Sequence, residues 1–151
     1  MVTATDALSI AGRDQAGFPS GLFSNAQFGR GNAGSLLIST PTLIVDDGGL
    51  ISAETLGSSR GKGGNIEVQV GRLTMSGGAG ITTSTFGSGL GGNVTVAAIE
   101  QLELSSGGTI SASSSGQGDA GIIRLQVGET FRSQEGAVTT ATVGPGAAQL
   151  H

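Results

Sequence analysis

The sequence predicts an all-β chain wound as a right-handed parallel β-helix, a solenoid of about five coils with three strands in each coil and no α-helix. Three observations lead there. Glycine-marked segments recur at Gly34, Gly64, Gly92 and Gly121, at intervals of 30, 28 and 29 residues. Inside each segment apolar residues alternate with others at period two, the mark of a strand with one buried face. No segment carries apolar residues at i, i+3, i+4 and i+7, and 29 glycines among 151 residues leave a helix nowhere to propagate. The hand is that of most solenoids with this strand pattern; the period itself does not set it.

The whole chain reads as one solenoid, residues 1–151. Its first coil is expected over residues 6–33, with Leu8 and Ile10 lying 28 residues before Leu36 and Ile38 and Leu22 lying 29 before Ile51. The stretch from Gly12 to Gly17 offers no apolar pair for a middle strand, so an irregular turn is expected there. The next coils are placed at 34–63, 64–91, 92–120 and 121–148. Their first strands are carried by Leu36, Ile38 and Thr40; Ile66, Val68 and Val70; Val94, Val96 and Ala98; and Ile123, Leu125 and Val127. Short second strands follow at Leu43 and Val45, Leu73 and Met75, Leu102 and Leu104, and Phe131 and Ser133. Each ends at a turn, Asp47-Gly48-Gly49, Gly77-Gly78, Ser106-Gly107-Gly108 or Glu135-Gly136, where glycine permits φ > 0. Third strands start at Ile51, Ile81, Ile110 and Val138 and run into Gly-rich loops such as Phe86 to Gly92.

Three strands in ~29 residues cannot close a sheet alone, but each can pair with its equivalent one coil away, at a spacing of ~4.8 Å. Stacking then puts Ile51, Ile81, Ile110 and Val138 in one inward column and Leu43, Leu73, Leu102 and Phe131 in another. Each such side chain, fully buried, contributes ~1.5–3 kcal/mol. Thr142 to Ala148 match the loop Thr85 to Gly91, and Leu150 falls where a further coil's first inward residue belongs. The chain therefore reads as a segment of a longer array.

Composition narrows the function classes. With 36% hydrophobic and only 12% charged residues the chain can bury a core, and with no Trp or Tyr and 5 Phe that core is aliphatic. Seven basic against eleven acidic residues give a net charge of −4 with no Lys/Arg run, which argues against nucleic acid. The absence of Cys removes thiol chemistry and Cys-based zinc sites. No apolar run reaches the ~18 residues of a membrane span.

The runs Gly63-Gly-Asn-Ile-Glu-Val68 and Gly91-Gly-Asn-Val-Thr-Val96 are joined by the Leu-x-Leu/Met-Ser-x-Gly steps at Leu73 to Gly78 and Leu102 to Gly107 and by Ile110-Ser-Ala-Ser113. Together they are similar to repeats of filamentous-haemagglutinin-like exoproteins of Gram-negative bacteria, over residues ~33 to 148. The resemblance implies a two-partner secretion protein, extracellular or held at the outer cell surface, fibrous, and involved in adhesion or biofilm. Asn65 and Asn93 match the family's Asn position, whereas Ser35 and Ile122 depart from it. The export domain of that family is not evident in the chain.

Candidate sites are few. Gly87-Ser-Gly89-Leu-Gly-Gly92 fits G-x-G-x-x-G, but a dinucleotide site needs a helix next, and Asn93 to Val96 read as strand. Gly61-Lys62-Gly-Gly64 lacks the P-loop spacing. Asp119 is the only Asp in the Gly-rich loops, too few for a calcium-binding roll. The acids Asp46, Asp47, Glu67, Glu100 and Glu103 fall on different faces, and His151 is terminal, so no catalytic constellation forms. The third strand presents an outward row of Ser52, Thr82, Ser111 and Thr139, and a second of Glu54, Ser84, Ser113 and Ala141. This face of small hydroxyls could meet a glycan, another solenoid or ice, or simply solubilise the strand and bond its neighbours.

These observations predict a non-enzymatic structural or adhesive solenoid segment, without metal or cofactor, that gives stiffness and presents surface. Its expected partners are a glycan or surface receptor and further copies joined end to end through open coils. The rival expectations are a carbohydrate-active β-helix enzyme fragment and an ice- or glycan-binding module.

Overall fold

The computed structural model describes residues 1–57, 59–143 and 149–150. The strands in chain order are β1 (Val2–Thr3), β2 (Ala7–Ala11), β3 (Gly21–Phe23), β4 (Leu36–Asp46), β5 (Leu50–Ser52), β6 (Ile66–Met75), β7 (Gly80–Thr85), β8 (Val94–Ser105), β9 (Thr109–Ser114), β10 (Ile122–Val127), β11 (Thr130–Gln134), β12 (Ala137–Thr142) and β13 (Gln149–Leu150). The described residues contain no helix.

The strands form two parallel sheets that every coil visits in turn. One runs β1-β4-β6-β8-β10-β13, with β2 also on β4 and β11 also on β8; the other runs β3-β5-β7-β9-β12. The predicted parallel β-solenoid is what forms, with about four turns where five coils were expected, and from β4 onward its registers are those of the repeat. Ile51 pairs with Ile81 and Ile81 with Ile110, Leu43 with Leu73 and Leu73 with Leu102, and Leu150 with Ile123. Ile38, Leu43, Ile51, Val68, Leu73, Ile81, Val96, Leu102 and Ile110 are fully buried in one aliphatic cluster. The alignment glycines are also a physical column. A Cβ on Gly64, Gly92 or Gly121 would overlap the carbonyl oxygen of Gly34, Gly64 or Gly92 one coil away, so only glycine lets these backbones stack.

Three expectations need correction. The separate first and second strands are single long strands in β4, β6 and β8. Alternation slips where they cross a corner, at Pro41-Thr42, at Gly71-Arg72 and at Ile99-Glu100-Gln101. The slip looks like a boundary in sequence, yet the ladder continues across it, with a register shift between Val70 and Arg72. The one residue more at the corner of β8 is why Val68 and Val96 are 28 apart while Leu73 and Leu102 are 29 apart.

The first coil does not begin at residue 6, and Leu8 and Ile10 do not pair with Leu36 and Ile38. They pair with Leu43 and Val45, and Val2 takes the place opposite Ile38. Alternation alone cannot distinguish the two strand positions; turn length decides. The expected irregular turn is a longer excursion in which Asp14 Oδ1 accepts from the Ala16 and Phe18 amides at 2.9 Å and Arg13 bridges antiparallel to Pro19. Leu22 still reaches its place against Ile51.

Phe131 keeps the register of its column, opposite Leu102, but is 51% exposed, and Val138 is only partly buried. Neither has a further described strand stacked over it. The predicted loop from Thr142 to Ala148 falls mostly outside the described residues.

Candidate interaction faces

The outward rows of the second sheet start from the pairing of β5, β7, β9 and β12, which sets Ser52, Thr82, Ser111 and Thr139 one above another. Ser52 does not belong to an open face. It is 1% exposed, covered by Asn25, whose Oδ1 accepts from Ser52 Oγ at 3.3 Å and from the Glu54 amide at 3.1 Å. Phe23 sits in register below it, 48% exposed. Thr82 is half-buried and donates to Glu54 Oε1 at 2.7 Å, while Ser84 and Ser113 share a hydrogen bond of 3.1 Å. Ser111 is half-buried and Thr139 exposed. The structure brings these residues together as a strip in which several hydroxyls are engaged along the ladder.

The amide residues follow the same rule. Asn65 Oδ1 accepts the Asn93 amide at 2.9 Å, and Asn93 Oδ1 accepts the Ile122 amide at 2.8 Å. Asn32 Oδ1 does this for the Lys62 amide at 2.8 Å. The ladder stops at Ile122, whose side chain has no acceptor to offer.

The acids stay dispersed. Glu100 pairs with Arg72 on the surface, Asp46 Oδ1 accepts from Ser76 Oγ at 2.8 Å and from the Asp47 amide, and Gln69 and Gln101 donate to Glu67 and Glu103. Among the described residues no group of three or more His, Asp or Glu is placed to hold a metal ion. The Gly87 to Gly92 loop leads through Asn93 into strand β8, and Gly89 packs on the Gly61 carbonyl, so its glycines serve stacking.

Two features escaped the sequence reading. The strand corner forms an open groove of about 610 Å³ along the stack, lined by Ala4, Pro41, Gly71, Ala97 and Ile99, with Ile99 74% exposed. All five phenylalanines lie on the surface, at 48% exposure or more, where a globular chain would bury them. Apart from Phe131, the phenylalanines fall off the inward positions of the repeat, and that was the available signal for the second. For the first there was only the slip in alternation. No family model, curated protein or solved structure matches this chain.

Proposed function

We propose that the chain is a non-enzymatic structural segment of a secreted or cell-surface filamentous protein of the filamentous-haemagglutinin-like kind, a stiff stalk that presents its outer faces for adhesion or self-association. The observation that carries this reading is the continuity of the two parallel ladders. Successive strands keep register coil after coil, and the side chains of Asn65, Asn93, Ser84 and Ser113 add bonds along the same axis. Extending or bending such a stack means breaking backbone bonds on both sheets at once. Tension applied across the coils should therefore be resisted cooperatively.

Single-molecule pulling between the ends tests the stalk. Release should occur in discrete steps of one coil, each lengthening the chain by roughly 100 Å for about 29 residues. Smooth extension without steps would overturn it. Adhesion is tested by adsorbing the chain to a panel of neutral and acidic glycans and to a second copy of itself. Retention on at least one of these supports a presenting surface, and turnover of any acidic polysaccharide would replace the reading with an enzymatic one.

A further inference from the structure

The interior beside the second sheet changes character along each coil. The first inward column is Ile51, Ile81 and Ile110; the second is Ala53, Thr83 and Ala112; the third, nearest the Gly-rich loops, is Thr55, Thr85, Ser114 and Thr142. Ala26 lies below Thr55 in the same register, and above it the column bears a hydroxyl at all four of these positions. Thr55, Thr85 and Ser114 are 0–1% exposed. Thr85 donates to the Leu90 carbonyl at 3.2 Å, but the hydroxyl oxygens of Thr55, Ser114 and Thr142 are buried and have no hydrogen-bond partner in the protein.

At Thr55, Thr85 and Thr142 valine would fill the same space with the same β-branched shape and no polar atom to satisfy. Unlike Ser84 and Ser113 on the outer face, which bond directly from coil to coil, the hydroxyls of Thr55, Ser114 and Thr142 find no protein partner up the column, and the strands that carry them lie ~4.8 Å apart. That spacing suits an intermediary. A water oxygen ~2.8 Å from each of two hydroxyls ~4.8 Å apart lies ~1.4 Å off the line joining them, with an O–O–O angle of ~118°. The facing wall is the Gly-rich loop, where the bare Cα of Gly63 turns toward Thr85; a Cβ there would lie 2.8 Å from Thr85 Oγ1. The loop also supplies acceptors, since Leu90 O and Gly92 O already take bonds from Thr85 and Thr83.

We infer that the Thr55–Thr85–Ser114–Thr142 column binds a file of internal water, one molecule between successive coils, each bridging two hydroxyls and completing its bonds on the loop backbone. The solenoid then has a dry aliphatic spine and a hydrated seam beside its loops. This rests on the fold alone and is independent of the proposed function.

Oxygen-17 magnetic relaxation dispersion on the intact chain counts long-lived waters. The file predicts such waters in the unaltered protein and fewer of them in Thr55→Val. Urea titration of the same variant should show the folding equilibrium constant falling about five- to tenfold, because a water and its bridge to Thr85 are lost. A dry column predicts the opposite sign, since an unpaired hydroxyl becomes a methyl. A more stable Thr55→Val, or an unaltered chain without long-lived water, would overturn the inference; the second readout holds even if the variant does not fold.

Discussion

Replacing Ile81 by Ala removes three carbons from a fully buried side chain that stacks between Ile51 and Ile110. At ~0.8 kcal/mol per buried carbon the transfer loss is about 2.4 kcal/mol. The cavity adds to this, because backbones locked in both ladders cannot collapse inward, which brings the expected cost to ~3–4 kcal/mol. Val138, partly buried in the same column, should lose only ~1 kcal/mol on truncation. Urea denaturation of the single variants measures both, and double-mutant cycles locate the contact. Ile51→Ala with Ile81→Ala should be non-additive by ~0.5 kcal/mol or more, because the two side chains touch across one coil. Ile51→Ala with Ile110→Ala, two coils or ~10 Å apart, should add within ~0.5 kcal/mol. Equal coupling in the two cycles, or an Ile81→Ala cost below ~1 kcal/mol, would refute the stacked column.

Other outcomes follow from single positions. Gly92→Ala should destabilise by ~3 kcal/mol or more in thermal melts, since its Cβ meets the Gly64 backbone, whereas Gly31→Ala, with nothing within 4 Å, should be neutral or stabilise slightly. Glu135 holds φ at 59°, a left-handed conformation that costs an L-residue ~1 kcal/mol, so Glu135→Gly should raise the melting temperature. Asn93→Ala removes the acceptor for the Ile122 amide and should cost ~0.5–1.5 kcal/mol by urea titration, with faster amide exchange at Ile122. Glu100→Gln breaks an ion pair whose side chains are 45% and 61% exposed, and should change stability by less than ~1 kcal/mol, less still in high salt.

What could be read in the sequence, and what could not, divides by how many times the chain poses the same question. An inward position recurs once per coil, so Ile51, Ile81 and Ile110 each test one steric slot, and the chance that alternation and glycine spacing agree by accident shrinks with every lap. The columns and the glycine stack were legible for that reason. Corners are under weaker control. Gly71 and the pair Ile99-Glu100 turn the same corner with different residue counts, because a convex edge facing solvent can absorb an extra residue that a packed face cannot. The excursion from Gly12 to Ser20 occurs once, has no counterpart to align with, and misplaced the register of Leu8 and Ile10.

The outward rows show the same division from the other side. Thr82 and Ser111 share a register with Ser52, and period two assigns all three to one face. Only Asn25, from a coil whose loops follow no repeat, makes Ser52 different. Period two also implied the inward hydroxyls. Counting on from Ile81 reaches Thr83 and Thr85, and from Ile110 reaches Ala112 and Ser114, so the polarity of the third column was present in the letters. It was obscured because Thr and Ser usually mark a solvent-facing strand. In a solenoid that inference fails, because parity relative to a buried Ile decides the side on which a residue lies, and polarity then states what the interior at that point must satisfy. A hydroxyl on the inward parity therefore marks a place where the core must supply a partner, and its recurrence up the stack is what turns a single unsatisfied group into a seam.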